Sequence, residues 1–223
     1  MEKKVLDALE DYRYLLDRGY NRFSALNFVT DRYLLTKEER NILLRVAYPL
    51  KDADIIKKKI VKPRDIFGKK LYVDGYNVII TIESILRGKP VFLCDDGIIR
   101  DISLTFSRFK ISEHTVKALQ IIKEFIGNYK PENTVFILDK PKKWSGKLAE
   151  LIYKAFQGLN VKVVLSKSPD KEVSRGEIIA SSDSQILIKS NRVIDIPSWV
   201  LNKLGVGPVV LRARRDLNPR PTA

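Results

Sequence analysis

The sequence predicts an α/β fold, a mostly parallel β-sheet flanked by helices and preceded by a small N-terminal helical unit. Apolar residues first recur at three- and four-residue steps, the spacing of amphipathic helices. From Lys70 onward, short apolar runs of strand length alternate with helical patterns, as in parallel sheets covered by helices. A composition of 44% hydrophobic and 30% charged residues is that of a folded globular chain.

Three helices are predicted in the N-terminal unit, which with its linker we place at residues 1–62. They cover Lys3–Asp17, a segment that begins at Ser24 as its N-cap, and a segment from Thr36 to Pro49. Thr36 begins a Thr-Lys-Glu-Glu sequence, which is typical of a capping box. The stretch from Lys57 to Pro63 is predicted to be the linker.

The α/β domain is predicted at residues 63–211. Its predicted strands are Leu71–Val73, Val91–Cys94, Thr134–Leu138, Val161–Leu165 and Ile178–Ala180. Its predicted helices are Ser112–Asn128, Ser145–Gln157 and Pro197–Leu204. Ile186–Ile188 and Val193–Ile196 are predicted to pair as a hairpin. Residues 212–223 lack apolar periodicity, so we expect an unstructured basic tail.

Composition limits the classes of function. The chain has 41 Lys and Arg against 27 Asp and Glu, a net charge of +14, which favours a polyanionic partner such as RNA. A lysine-rich surface of the kind found in thermophile proteins explains the charge equally well, and both interpretations stay open. One cysteine and one histidine exclude disulfide scaffolds, Cys/His zinc sites and Cys-His proteases.

Targeting signals are not expected. No stretch approaches about 18 uninterrupted apolar residues, so no membrane partner is predicted. The opening Met-Glu-Lys-Lys carries charges where a signal peptide needs an apolar core, so a cytoplasmic location is expected.

Aspartates stand at strand ends. Asp74, Asp139 and Asp183 each come at or near the end of a short apolar strand, and the carboxyl ends of parallel strands lie along one edge of a sheet. Carboxylates that converge there repel one another unless they are protonated or share a divalent cation. Oxygen ligands alone favour Mg²⁺ or Mn²⁺. Each aspartate taken singly is better explained as a turn residue or helix N-cap, but the three together predict a metal site.

The sequence around these aspartates resembles a known superfamily. Val73-Asp74-Gly75-Tyr76-Asn77, Val135–Asp139 and Ala180–Gln185 are similar to successive motifs of the PIN/NYN nucleases. The order of residues 1–205 also resembles archaeal DUF434-type proteins, in which a helical segment precedes a PIN-like domain. The resemblance implies a PIN-like, Rossmann-like sheet and a ribonuclease dependent on Mg²⁺ or Mn²⁺.

Carried over by position, the resemblance implies four catalytic and metal-binding carboxylates: Asp74, Asp139, Asp170 and Asp183. Asp170 belongs to Ser168-Pro169-Asp170, which fits an acidic motif of the NYN branch, and Asn77 would orient Asp74 or contact phosphate. Asp96 and Asp101 extend the metal site or build a hairpin; both readings stay open, and for Asp95 we favour the hairpin. The acidic residue that these nucleases carry on a helix is not determined, and its candidates are Glu83, Glu113 and Glu150.

A basic loop follows Asp139. Its candidate substrate-binding residues are Lys142, Lys143, Trp144, Ser145 and Lys147, with Ser145 expected to cap the next helix. Lysines suit a phosphate backbone and a tryptophan suits an unpaired base, although a solvated loop with its tryptophan packed on the sheet is an equal alternative. The sequence thus predicts a ribonuclease that hydrolyses RNA phosphodiesters. A non-catalytic RNA-binding or assembly module is the main alternative, a nucleotide hydrolase is a weaker one, and a homodimer is left open.

Overall fold

The computed structural model describes residues 3–102 and 109–211 of the chain. The helices are α1 (Lys3–Asp17), α2 (Arg22–Arg32), α3 (Lys37–Val46), α4 (Leu50–Lys57), α5 (Gly75–Leu86), α6 (Glu113–Tyr129), α7 (Ser145–Ala155), α8 (Pro169–Val173), α9 (Ser184–Lys189) and α10 (Ile196–Leu204). The strands are β1 (Lys70–Asp74), β2 (Val91–Leu93), β3 (Ile99–Asp101), β4 (Asn133–Asp139), β5 (Val161–Ser166), β6 (Ile178–Ala180) and β7 (Val209–Val210). A 3₁₀ helix spans Pro63–Ile66.

A four-stranded parallel sheet lies at the centre of the larger domain, in the order β5-β4-β1-β6. In β1, Val73 is in register with Phe136 on one side and Ala180 on the other. One face packs against α5, α6, α7 and α10, and the other against α4, α8 and α9. The prediction of an α/β fold with a mostly parallel sheet flanked by helices is therefore confirmed.

The N-terminal helices form a second core that continues onto the α/β domain. Leu9, Leu26 and Leu43 are completely buried between these helices. The same cluster includes Phe92 of β2 and Cys94 just beyond it. β2 is the middle strand of a small sheet in the order β3-β2-β7, so the helical unit shares its apolar core with this sheet.

Several local predictions differ from the structure. α2 is capped by Asn21, whose side chain accepts bonds from the next backbone N–H groups, and not by Ser24. α4 spans Leu50–Lys57, where we predicted no helix and had assigned only Lys57, to the linker. α5 begins directly after Asp74, where we predicted no helix. The predicted basic tail, residues 212–223, lies outside the described residues.

The predicted hairpin after β6 is wrong. Residues 184–189 form α9, capped by the Asp183 side chain, and Val193 makes only isolated bridges to Ile60 and Ile179. Ile196 starts α10, which Asp195 caps and in which Pro197 occupies the first turn. Short apolar runs fit a strand and a buried helix equally well, and here the capping aspartates decide for helices.

Within the described ranges, no helix is both long enough and apolar enough to span a bilayer.

Candidate functional site

Asp74 is held from two directions at the carboxyl end of β1. It caps α5 by accepting a bond from the backbone N–H of Asn77 at 3.5 Å, and the Asn77 side-chain amide donates to its Oδ2. The Ser181 hydroxyl, 107 residues away in the sequence, donates to the same Oδ2 at 2.9 Å. These donors fix one carboxylate between β1 and β6. Of the two roles predicted for Asn77, orienting Asp74 or contacting phosphate, this contact is of the first kind, and the functional role stays a prediction.

Gly75 explains why the chain can turn into α5 so closely against β4. A Cβ atom at this position would lie 2.5 Å from Leu138 Cδ2 and 3.3 Å from the Ile137 carbonyl oxygen. The next residue, Tyr76, is 2% exposed, and its hydroxyl donates to the Lys143 carbonyl at 3.4 Å. The Asp-Gly-Tyr-Asn sequence therefore packs the start of α5 against β4 and ties it to the basic loop.

Asp183 is connected to Asp74 through Ser181. The backbone N–H of Asp183 donates to Ser181 Oγ at 3.1 Å, and its carboxylate caps α9 by accepting from the N–H of Gln185 at 2.8 Å. Burial raises the pKa of Asp74, and the negative charge of Asp183 raises this pKa further, while the bonds from Asn77 and Ser181 oppose the rise. A cation bound here would relieve the repulsion between the two negative charges.

Asp139 is the last residue of β4, which pairs with β1 on the side opposite β6. Its carboxylate lies 3.5 Å from Lys142 Nζ, and its side chain is 25% exposed. Lys142 Nζ also lies 5.0 Å from the centre of the Tyr76 ring. Burial and the negative charge of Asp139 together raise the pKa of Tyr76 to about 12. Asp139 thus belongs to the same edge as Asp74 but is paired with a lysine.

Asp170 lies on α8, after β5, and is exposed. Because β5 runs parallel to β4, the β5–α8 connection is on the same edge of the sheet. However, the hydrogen bonds that join Asp74 to Ser181 and Asp183 do not extend to Asp170.

The segment after β2 has a structural role. Both Asp96 oxygens accept from Arg100 at 2.6 Å, and both side chains are completely buried. Asp101 accepts from the Thr81 hydroxyl at 3.1 Å. Asp95 pairs with Arg13 of α1 at 2.5 Å. The structure corrects the metal-ligand prediction for Asp96, because a bidentate ion pair already uses both of its oxygens, and it favours the hairpin reading for Asp95 and Asp101.

None of the three candidate glutamates lies beside Asp74. Glu83 accepts from the Thr115 hydroxyl at 2.5 Å, about two turns along α5, and so connects α5 to α6. Burial raises its pKa, against the bonds from Thr115 and Arg87. Glu113 and Glu150 are exposed.

The carboxylates of Asp74 and Asp183 are the candidate ligands for a hydrated cation at this edge. Among the described residues, no three His, Cys, Asp or Glu side chains lie close enough together to hold a metal ion. Mg²⁺ commonly keeps several waters and binds through one or two carboxylates plus substrate phosphate. Asp74 and Asp183 provide two such carboxylates. The buried Ser182 hydroxyl nearby has no hydrogen-bond partner within the described ranges, so it is available to a water or ligand.

The basic loop lies beside Asp139. Trp144 has a left-handed backbone with φ of 74° and is partly exposed, and the Nζ atoms of Lys143 and Lys147 lie 5.5 and 4.8 Å from its ring. Ser145 does not cap α7 as predicted. It is the first helical residue, and its hydroxyl donates to the Lys140 carbonyl at 3.0 Å. This hydrogen bond joins the two ends of the basic loop.

Comparison with known families matches residues 63–199 to a domain of unknown function, DUF5616, over more than half of the chain. This chain belongs to the DUF5616 family. Residues 4–59 of this DUF5616 protein match a second family, a protein of unknown function, DUF434. The uncharacterized protein MJ0935 of Methanocaldococcus jannaschii is 36% identical over 188 residues, 83% of this chain and 89% of the relative. No solved structure matches the chain. The predicted resemblance to archaeal DUF434-type proteins is thereby confirmed.

The DUF5616 segment also holds polar residues that the sequence did not single out. A small pocket beside Asn77 is lined by Thr81, Ser181, Ser182 and Asp195. Asp195 caps α10 and accepts from the Ile99 N–H at 2.7 Å, and burial raises its pKa to about 6. The signal for Asp195 was its position before Ile-Pro, a helix start. Ser181 had no signal of its own, because its role depends on the register of β6 beside β1.

Proposed function

We propose that this DUF5616 protein is a metal-dependent ribonuclease that hydrolyses RNA phosphodiesters at the carboxyl edge of its parallel sheet. The observation that carries the proposal is the hydrogen-bonded link from the Asp74 carboxylate at the end of β1, through the Ser181 hydroxyl, to the backbone N–H of Asp183, three residues beyond β6. The similarity of the surrounding motifs to PIN/NYN nucleases supports the same function. The net charge of +14 suits an RNA partner.

In this proposal, Asp74 and Asp183 hold Mg²⁺ or Mn²⁺. The bound ion would supply an activated water and stabilise charge on the phosphate. Asn77 and Ser181 keep the Asp74 carboxylate in a fixed orientation, because each donates a hydrogen bond to it. Asp139 contributes negative charge at the same edge, where Lys142 partly neutralises it.

The basic loop would bind the RNA strand. Lys143 and Lys147 lie on either side of Trp144 in sequence, and both ammonium groups lie near its ring. Ammonium groups attract the phosphate backbone, and a partly exposed indole ring offers a stacking surface to an unpaired base. This arrangement favours single-stranded RNA over a duplex, whose bases are already stacked.

A non-catalytic RNA-binding module is the second candidate. The observation that favours it is the lack, among the residues that the structure describes, of any group of three potential metal ligands. Such a module would use the basic loop but would not cleave RNA.

An RNA-cleavage assay with Mn²⁺ separates the two candidates. We expect the wild-type protein to cleave single-stranded RNA and Asp74→Asn to lower kcat by about 100-fold or more, because the change removes a metal carboxylate. Glu132→Gln is the matched control, since Glu132 is exposed at the opposite, amino-terminal end of β4 and should retain full activity.

The outcomes differ clearly between candidates. RNA binding without cleavage by the wild type, unaffected by Asp74→Asn, would support the binding module. Release of inorganic phosphate from nucleotides, with intact oligonucleotides, would instead indicate a nucleotide hydrolase. Equal cleavage by wild type and Asp74→Asn would contradict the proposed site.

A further inference from the structure

Arg100 of β3 is completely buried, and each of the three nitrogens of its guanidinium group donates a hydrogen bond. Its Nη1 and Nη2 donate to the two Asp96 oxygens at 2.6 Å each, and its Nε donates to the Ser182 carbonyl at 2.7 Å. The Tyr48 ring centre lies 4.7 Å from the guanidinium carbon. A buried arginine is therefore fixed by one carboxylate, one carbonyl and one aromatic ring.

The Ser182 carbonyl belongs to the segment that holds the proposed site. Ser181 and Asp183, the residues on either side of Ser182, form the bonded chain to Asp74. Anchoring the carbonyl between them fixes the backbone from which both side chains extend. Arg100 makes no contact with Asp74 itself, so any effect on that carboxylate passes through Ser181–Asp183.

The DUF434 segment also contacts the residues around Arg100. Tyr48 is 4% exposed, lies after α3, and its backbone N–H donates to Asp95 at 3.2 Å. Arg13 of α1 forms a nearly buried ion pair with the same Asp95. The helical unit thereby covers the turn that carries Asp96, the partner of Arg100.

We propose that Arg100 is a positioning residue, through which Tyr48 of the helical unit and Asp96 hold the Ser181–Asp183 segment in place. For its effect on activity, this inference rests on the proposed ribonuclease function. A buried ion pair adds little net stability compared with a well-packed apolar cluster. An arginine presents five N–H donors on three nitrogens in one rigid plane, which the single nitrogen of a lysine does not reproduce, and here the three nitrogens join two separate segments.

Arg100→Lys tests the inference because it keeps the charge but loses the planar set of donors. We expect amide hydrogen exchange of the segment 180–187 to become faster, since the anchor at the Ser182 carbonyl is lost. We also expect kcat for RNA cleavage to fall by about 10- to 100-fold with little change in KM, as for the loss of residues that orient metal ligands.

Arg13→Lys is the matched control. It weakens a nearly buried ion pair at Asp95 that does not touch Ser182. We expect it to lower the thermal midpoint while leaving exchange in 180–187 and kcat unchanged. If Arg100→Lys does not fold, Tyr48→Leu is the alternative test variant. It removes the ring beside the Arg100 guanidinium and retains the backbone N–H that donates to Asp95.

The exchange measurement separates this inference from the proposed function. Faster exchange in 180–187 for Arg100→Lys, or for Tyr48→Leu, supports the positioning role even where the wild-type protein cleaves no RNA. Unchanged exchange in a folded Arg100→Lys protein overturns it, even where the wild type is an active ribonuclease. Equally fast exchange in Arg13→Lys also overturns it, because the effect would then follow from general destabilisation.

Discussion

At the scale of single residues, Asp74 is the side chain on which the proposed chemistry depends. Its environment contains opposing influences, because burial and the charge of Asp183 disfavour the carboxylate, while Asn77 and Ser181 stabilise it through hydrogen bonds. A carboxylate in this balance responds to small changes in neighbouring residues. The direction of each response follows from the sign of the influence that is removed.

The pKa of Asp74 should therefore move in opposite directions in two variants. Asp183→Asn removes a nearby negative charge and should lower the pKa of Asp74. Ser181→Ala removes a hydrogen bond to the carboxylate and should raise it. Carbon-13 NMR titration of the Asp74 carboxyl group, without metal, measures both, with Glu132→Gln as the control that leaves the pKa unchanged. A shift in the same direction in both variants would contradict the geometry.

Asp195 should make stability depend on pH. Burial raises its pKa from 3.8 to about 6, against the bonds from the Ile99 and Ser198 N–H groups and the charge of Arg100. Between pH 4 and pH 6 the unfolded carboxyl loses its proton before the folded one does. The free energy of unfolding therefore falls as pH rises through this window, by about 3 kcal/mol from this residue, and its full contribution is present only below about pH 4.

Urea denaturation of wild type and Asp195→Asn at pH 4 and pH 7 measures this contribution. Asparagine does not titrate, but it also offers one oxygen acceptor where the wild type offers two. We expect the wild type to have its greatest advantage over the variant at pH 4 and to lose most of that advantage by pH 7. An advantage that grows towards pH 7 would show that the carboxyl is ionised in the folded protein.

At the scale of elements, regular apolar spacing predicted α1, which has one buried face, and short apolar runs predicted the strands β4 and β5. α1 matches its predicted bounds, and β4 and β5 differ only by terminal residues. The spacing was insufficient for α9, because Ile186 and Leu187 are buried in a run too short to show a period. α5 was missed because its apolar residues surround the helix and its start coincides with the Asp74 motif.

Gly75 shows that the boundary between β1 and α5 requires a residue without a side chain. Gly75→Ala should lower the free energy of unfolding by about 1–3 kcal/mol, because the added methyl would lie 2.5 Å from Leu138 Cδ2 in a fully buried position. Gly127→Ala in α6 is the matched control. That position has open space, and alanine favours helix over glycine by up to about 1 kcal/mol, so the variant should be slightly more stable than wild type. Urea denaturation compares them, and equal stability for both would contradict the close packing.

Only those contacts of the candidate site that join residues close in sequence could be predicted. Asp74 and Asn77 are three residues apart, so an N-cap relation was visible in the sequence. Ser181 reaches Asp74 only because β6 pairs with β1, and Arg100 reaches Ser182 from a different sheet. Contacts of that kind depend on strand register and on packing between the two sheets, which apolar patterns do not encode.

At the scale of the whole molecule, the helical unit and the α/β domain are joined by more than apolar packing. The N–H of Asp95 donates to the Val46 carbonyl at 3.0 Å, and Arg45 Nε donates to the Asp101 carbonyl at 3.0 Å. The Arg13–Asp95 ion pair adds a third polar link, and each of its two side chains is only 6% exposed. Separating the two parts would leave buried polar groups without partners, which is costly.

We therefore expect the two parts to unfold together. Leu9 is completely buried in the helical unit, and Leu9→Ala should lower the free energy of unfolding by about 2–5 kcal/mol. Trp199 reports on the other part, since its ring packs against Phe125 and its indole N–H donates to the Tyr129 hydroxyl at 3.0 Å. In a Trp144→Phe background, Trp199 fluorescence should show Leu9→Ala shifting the urea midpoint as far as far-ultraviolet circular dichroism does. A Trp199 transition that stays at the wild-type midpoint would mean that the helical unit unfolds alone, and the coupling through Tyr48 and Arg100 would then lose its physical basis.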